Sequence, residues 1–326
     1  MSLRNLVLKL LEENRAQCLS GQQIADQLNV SRAAIWKSIN LLRSEGYQID
    51  ATTNKGYQLT KDNDFISAQG MIPYLKEEYK SNKIIVYKST DSTNQQAKLE
   101  ALEGAAHGSV VLAEMQTAGK GRLGRSFHSP ANAGIYMSII LRPKTDASNA
   151  VLLTSAAAVA VCRAISKVCF AKPSIKWLND IYLNNKKICG ILSEAVTNCE
   201  NGIIESVVVG IGINFKTKPE QIPQELQDII GSIFYDSKPT TTRNHLAAEV
   251  MNEMLDLSKD FVNREFLKEY KQLSFVLGED ITFFIDNEWH DTKAVDIADN
   301  GALVVQDKNG DIQTLFSGEI TVRRKK

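Results

Sequence analysis

The stretch Gln116-Thr117-Ala118-Gly119-Lys120-Gly121-Arg122-Leu123-Gly124-Arg125-Ser126-Phe127 decides how the rest of the chain is read. Its glycines let the backbone turn tightly and come close to a ligand. Lys120, Arg122 and Arg125 add positive charge with no acid among them, a combination that suits a phosphate. The spacing Gly119, Gly121, Gly124 also matches G-x-G-x-x-G. That dinucleotide fingerprint needs a helix starting at the loop. Here Ser129-Pro130-Ala131-Asn132-Ala133-Gly134 follows, which breaks helices, and then the apolar run Ile135 to Leu141. The reading is strand, basic glycine loop, strand. The plain alternative is an exposed basic turn.

A second stretch, Ile175 to Ala195, reads as two strands joined at the turn-prone pair Asn184-Asn185. Together the two stretches resemble the biotin protein ligases. That family carries a G-R-G-R-x-G loop and a K-W-P-N-D segment followed by an essential lysine. Here they stand as Gly119 to Gly124, as Lys176-Trp177-Leu178-Asn179-Asp180, and as Lys187. The resemblance covers essentially the whole chain. A DNA-binding motif at the N-terminus makes it closest to the bifunctional branch, which also represses biotin genes.

The resemblance implies the roles that follow. Lys187, Arg122 and Asp180 would carry the chemistry. Ser92, Thr93, Asn94, Gln116, Lys120, Gly121, Arg122 and Lys187 would hold biotin. Gly119, Lys120, Arg122, Arg125, Lys176, Trp177, Asn179 and Asn214 would hold ATP and the adenylate. Mg²⁺ would accompany the phosphates, without a dedicated protein cage. The implied partners are the biotin carboxyl-carrier domain of acetyl-CoA or pyruvate carboxylase, operator DNA, and a second copy in a ligand-linked homodimer.

Composition is consistent with this. The chain has 326 residues, 43% of them apolar, enough for two or three domains with a buried core. Its formal net charge is zero, so DNA contact must come from a local patch. Five scattered cysteines form no C-x-x-C pair and read as reduced thiols of a cytoplasmic protein. The four histidines show no metal-ligand spacing. No signal peptide is visible, and no apolar run approaches a membrane span.

The expected class is α+β in three domains. Residues 1–62 read as a winged helix-turn-helix. Leu3, Leu6, Val7, Leu10 and Leu11 make one helical face. Ser20 and Gln23 form a capping box, and Ser31 caps a third helix burying Ile35, Ile39 and Leu42. Ser31, Arg32, Trp36, Lys37, Asn40 and Arg43 would face DNA, with Lys55 on a wing turning at Thr53-Asn54-Lys55-Gly56. Eight Lys/Arg against six Asp/Glu leave this part at only +2. A helical bundle with a solvated charged face is the alternative.

Residues 63–272 read as the ligase-like catalytic domain, with a mixed or antiparallel sheet and helices mostly on one side. Its expected elements include an Ala/Val-rich helix from Asn149 to Val168, a strand Ile203 to Ile213 and a long amphipathic region Arg243 to Gln272. Residues 273–326 read as a small SH3-like β-barrel, turning at Asp286-Asn287 and at two Asn-Gly pairs, with Gly318-Glu319-Ile320 and Arg323 matching the family's last strand.

Three residues depart from the family pattern. Lys120 replaces arginine and loses the planar fork. Leu178 replaces proline, and Phe127 stands where some relatives carry tryptophan. Two other functions remain open at this point: a biotin sensor that has lost catalysis, and a lipoate ligase.

Overall fold

The computed structural model describes residues 2–52, 55–60, 62–143, 150–197, 204–260, 263–285, 288–316 and 319–322. The N-terminal unit holds α1 (Leu3–Glu13), α2 (Gly21–Leu28), α3 (Arg32–Ser44) and the hairpin β1 (Ile49–Thr52) and β2 (Gly56–Leu59). On α1 the buried residues are Val7, Leu8, Leu11 and Glu12, so the inward face is turned toward Leu8 relative to the sequence reading. The Ser20–Gln23 capping box forms in both directions, and Asn29 ends α2 in the left-handed conformation (φ 51°). Leu19 pairs with Tyr57, which ties the helix-turn-helix to its wing. Thr53 and Asn54 lie outside the described residues. These elements close their own apolar core around Ile24, Ile35, Ile39 and Leu42.

A short helix, α4 (Ala68–Met71), leads into the central unit. There follow β3 (Ile84–Tyr87), α5 (Thr93–Leu102), β4 (Val110–Ala113), β5 (Gly134–Leu141), α6 (Ala150–Cys169), β6 (Ser174–Lys176), β7 (Asp180–Leu183), β8 (Lys186–Thr197), β9 (Ile204–Asn214), α7 (Arg243–Lys259) and α8 (Phe266–Leu273). The sheet order is β3-β4-β5-β9-β8-β7-β6. Only the β3–β4 pairing is parallel, so the sheet is mixed. Both faces are covered, and β5 is buried along its whole length. Helix α5 covers Val111, Ile140 and Val208 on one face. The larger core, with α6, α7 and α8, takes Val110, Leu112, Ile139, Val207 and Val209 on the other.

Several expectations change here. The Ile175–Ala195 stretch makes three strands rather than two, because the chain turns at Trp177–Asn179, where the Trp177–Leu178 peptide is cis. The Asn184-Asn185 turn does form, with both residues at positive φ. The region Arg243 to Gln272 is two helices, and α7 is not amphipathic in the simple sense. Its polar residues Arg243, Asn244, Glu249 and Asn252 are all buried. One run, Leu152–Cys169, is long and apolar enough to cross a membrane, contrary to the sequence expectation. It is 83% buried inside the fold as a core helix. Asn149 and Ile203 lie outside the described residues.

Arg243 fastens the segment that enters the central unit to the sheet. Only 1% of its side chain is exposed. It donates to Asp64 (Nε–Oδ2 3.0 Å), to Glu114 (Nη1–Oε2 2.7 Å) and to the Gly134 carbonyl (3.1 Å). Burial works against its charge, but Glu114 and Asp64 more than offset this and raise its pKa.

The C-terminal strands β10 (Asp280–Ile285), β11 (Glu288–Ile297), β12 (Leu303–Gln306), β13 (Ile312–Leu315) and β14 (Glu319–Val322) form an antiparallel sheet ordered β13-β12-β11-β10-β14. Gly301 and Gly310 adopt positive φ in the two Asn-Gly turns. Asp286, Asn287, Gly318 and Arg323 lie outside the described residues. Among the described residues this sheet shares its core: Ile281, Phe283, Ile297, Leu303 and Leu315 belong to the same apolar cluster as the central unit.

Candidate functional site

A cavity of about 540 Å³ opens on the face of the central sheet that α5 only partly covers. Strand register builds its floor. Gly212 pairs with both Tyr136 and Gly190, and Gly210 pairs with both Ser138 and Leu192. Missing side chains make the room. A Cβ at Gly210 would lie 2.1 Å from Asn94 Oδ1, and one at Gly212 would lie 2.5 Å from the Phe127 ring. Glycines alternating in a strand signal this kind of close approach. Of this strand the sequence points only to Asn214 as a site residue. The Gly190, Gly210 and Gly212 floor, and the wall made by Leu226, Ile229 and Ile230, emerge from the structure.

All but one of the expected catalytic, biotin and nucleotide residues line this cavity: Ser92, Thr93, Asn94, Gln116, Lys120, Gly121, Arg122, Arg125, Lys176, Trp177, Asn179, Asp180, Lys187 and Asn214. The exception is Gly119, which the loop needs for another reason. The loop closes on itself through Phe127 N–H to the Gly119 carbonyl (2.8 Å) and Gly121 N–H to the Arg125 carbonyl (2.7 Å). A Cβ at Gly119 would sit 2.5 Å from the Phe127 carbonyl oxygen. At the tip, Leu123 is 72% exposed and Gly124 has φ +72° with nothing nearby. Amide exchange at Leu123 and Gly124 should therefore be fast in the free protein and slow when biotin and ATP are added. Unchanged protection would count against the loop as a phosphate clamp.

The basic groups are steered individually. Arg122 Nη1 donates to Asn179 Oδ1 (3.1 Å), and Asn179 Nδ2 donates to the Ile191 carbonyl (2.8 Å). Burial lowers the Arg122 pKa, with Asp180 opposing. Lys187 Nζ lies 2.7 Å from Asp180 Oδ1. Its aim comes from a β-bulge. The β7–β8 register shifts between Ile181 and Tyr182, so Tyr182 faces Lys187 and Ile188 is the extra residue. Residues 187 and 190 would point to opposite faces of a regular strand. With the bulge, Lys187 Nζ lies 3.5 Å from the Cβ position of Gly190, on the cavity face. Lys186 turns elsewhere and donates to the Gln227 carbonyl (2.9 Å). Trp177 is almost fully buried and donates its indole N–H to the Gly301 carbonyl (3.0 Å), so it also fastens the C-terminal sheet. Phe127, one of the three departures, lays its ring over Gly212 and Gly190.

At the other end, the polar residues at the start of α5 meet the loop. Thr93 N–H donates to Gln116 Oε1 (2.8 Å), and Gln116 Nε2 donates to Ser129 Oγ (2.8 Å). Asp91 accepts from Ser92 N–H (2.7 Å) and its pKa is lowered, chiefly by that bond. The cavity is thus basic along the loop and neutral-polar at the head of α5. Lys120, Arg122, Arg125, Lys176 and Lys187 line it, against Asp180 as the acid among the described residues.

On the N-terminal unit, α3 exposes Arg32, Trp36 and Lys37. Lys55 is also exposed, next to the wing turn, and Asn40 is half-buried. Two expected DNA-facing residues have local duties. Ser31 Oγ accepts from Ala34 N–H (3.3 Å) as the helix cap. Arg43 donates to the Ile49 carbonyl (2.7 Å from Nη2), which pins α3 to β1.

A model of the biotin/lipoate A/B protein ligase family matches residues 86–214, and a model of a helix-turn-helix domain matches residues 4–58. The bifunctional ligase/repressor BirA of Bacillus subtilis (strain 168) is 33% identical over 322 residues, 98% of each chain. The protein of that name from Escherichia coli (strain K12) is 28% identical over 307 residues, 93% of this chain and 92% of its own. The structure of biotin protein ligase from Aquifex aeolicus in complex with biotin and ATP matches with a TM-score of 0.63 at 27% identity. It covers 74% of this chain and 99% of that one. Kinship that runs through the helix-turn-helix as well as the cavity means that this chain belongs to the biotin protein ligase family, in its branch of bifunctional ligase/repressors.

Proposed function

We propose that the cavity joins biotin to ATP and passes the biotinoyl group to a lysine of a carboxylase carrier domain, while the N-terminal unit binds operator DNA under control of the intermediate. The observation that carries this reading is one cavity with two chemistries: basic side chains along a glycine loop, and amide and hydroxyl groups at the start of α5. The second suits the fixed donors and acceptors of a cyclic urea. The first suits phosphate.

In the first step a carboxylate oxygen of biotin attacks the α-phosphorus. The bond to the bridging oxygen breaks, and pyrophosphate leaves with the electron pair. Negative charge gathers on the α-phosphate, where Lys187 and Arg122 stabilise it and Lys120 holds a phosphate oxygen. Asp180 keeps Lys187 oriented through their ion pair. In the second step the acceptor amine attacks the acyl carbon, AMP leaves, and the amine gives up its proton. Mg²⁺ enters as part of the nucleotide substrate. No group of three or more His, Cys, Asp or Glu side chains gathers as a protein cage among the described residues.

Residues 1–62, 63–272 and 273–326 are our division into reader, catalytic unit and C-terminal unit, in a cytoplasmic protein. A reader at +2 binds DNA weakly alone. Two readers held in one dimer bind a palindrome more tightly, because the second contact is intramolecular. An exposed loop tip at Leu123 gives the adenylate something to order, and ordering can favour a second copy. Incubation with biotin, ATP, Mg²⁺ and a carrier domain should add one biotinoyl mass to the carrier. Biotin plus ATP should also raise operator affinity by roughly 10²-fold at fixed salt, with dimer formation in sedimentation. An unmodified carrier would overturn the ligase reading, and equal operator affinity would overturn control by the adenylate.

A further inference from the structure

A continuous chain of side-chain hydrogen bonds runs behind the polar end of the cavity, and its donors and acceptors leave one self-consistent arrangement. Lys98 pairs with Glu194 Oε1. Glu194 Oε2 and the Leu192 carbonyl both face Asn94 Nδ2, at 2.7 and 3.2 Å. Carboxylates and carbonyls only accept, so this atom is the amide nitrogen and Asn94 Oδ1 points the other way. There it meets Ser138 Oγ at 2.6 Å, and the serine must donate. Ser138 has one proton and has now used it. Thr93 Oγ1 lies 2.8 Å from this serine oxygen and 3.2 Å from Gln116 Oε1. Gln116 Oε1 already accepts from the Thr93 N–H (2.8 Å), so the shorter contact, to a hydroxyl with no proton left, takes the Thr93 proton. Thr93 lines the cavity and is left with lone pairs alone to offer a ligand.

Two further observations support this order. Burial opposes ionisation of Glu194, but hydrogen bonds from Lys98 and Asn94 outweigh it and lower its pKa, so it stays an acceptor at neutral pH. The strand register puts Ser138, Gly210 and Leu192 in one row, and Asn94 lies on the bare backbone of Gly210.

We propose that Glu194 and Ser138, neither of which lines the cavity, are specificity-determining positioning residues: they set the direction of this chain and so make the Thr93 hydroxyl an acceptor for a ring N–H of the ligand. The proposal rests on the reading of that ligand as biotin, whose cyclic urea carries two N–H groups. A cyclic carbamate, in which ring oxygen replaces one N–H, would set lone pair against lone pair at Thr93 and be rejected.

Glu194→Gln is close to isosteric and should reverse the chain at the cost of the longer Asn94 bond to the Leu192 carbonyl (3.2 Å). Lys98 claims the new amide oxygen, which turns the amide nitrogen toward Asn94. Asn94 then flips, its nitrogen donates to Ser138, Ser138 donates to Thr93, and the Thr93 proton is released to rest on Gln116 Oε1 (3.2 Å) or turn to an acceptor on the ligand. Ser138→Ala cuts the chain and also frees that proton. The test is calorimetric binding of biotin and its two cyclic carbamate analogues to the full-length protein and both variants, alongside KM for ATP. Wild type should prefer biotin over at least one carbamate by about 10²-fold or more. Both variants should narrow that preference to below about 10-fold, with KM for ATP unchanged, a split that a general loss of structure would not give. An unchanged preference in folded Glu194→Gln would overturn the proposal, whether or not Ser138→Ala folds. Failure of wild type to bind biotin would appear before any variant is compared, and would overturn the functional reading beneath it.

Discussion

Lys187→Ala should slow biotin-dependent exchange of pyrophosphate into ATP by about 10²–10³-fold, the usual consequence of removing one donor from a developing oxyanion. Stability should change by no more than about 1 kcal/mol, because the pair with Asp180 is partly exposed and screened. Lys186→Ala is the matched control. Its ammonium reaches the Gln227 carbonyl rather than the cavity, so initial rates should stay near wild type. Normal rates for Lys187→Ala would remove the lysine from the chemistry. The same outcome would leave the biotin end of the cavity untouched, since Thr93, Asn94 and Gln116 are held by bonds that do not involve it.

Arg243→Met should be the most damaging single change to stability. Methionine has similar length and packs well, but it leaves Asp64 and Glu114 as carboxylates facing an apolar neighbour. Breaking a buried pair by removing one partner costs about 3–5 kcal/mol. For a chain of this size that is a fall in Tm of roughly 10 °C. Urea or thermal unfolding of the full-length protein measures it. The contrast is Lys268→Ala, whose pair with Glu265 is largely exposed and should matter little. A shift for Arg243→Met no larger than for Lys268→Ala would mean that this buried ion cluster carries no weight. Activity should suffer too, because Glu114 stands two residues before Gln116 and Gly134 opens β5.

Local signals were readable in the sequence where a short motif meets a local physical need. The glycine loop, the capping box at Ser20 and the Asn184-Asn185 turn each depend on neighbouring residues and formed as read. What escaped depended on partners far along the chain. The bulge that aims Lys187 is a property of the β7–β8 register, and nothing in Lys186-Lys187 tells which lysine turns inward. Arg43 read as a DNA contact from its helical face, but the Ile49 carbonyl six residues on claims its guanidinium. Helix α7 looked amphipathic because its arginine, asparagines and glutamate are polar. The arginine and asparagines find partners at residues 64, 65 and 74, and Glu249 pairs with Lys167 on α6, none of which pattern alone brings near. Glu194 and Ser138 carried no motif at all, and only the packing of α5 on β5 and β8 shows what they touch.

The division of apolar cores sets a timetable for synthesis. The N-terminal reader has a core of its own and can fold once its residues have left the ribosome. The catalytic sheet has no such independence. Trp177 is fastened to Gly301, and the core beneath it is completed by Ile281, Leu303 and Leu315. Strands made early in the central unit must therefore wait, with their apolar faces open, until residues beyond 315 are available. At roughly 5–20 residues per second, the gap between a finished reader and a finished enzyme is tens of seconds on each nascent chain. During that interval the newborn molecule holds a folded helix-turn-helix unit and no working ligase, and the half-built sheet is the part with apolar surface open to aggregation.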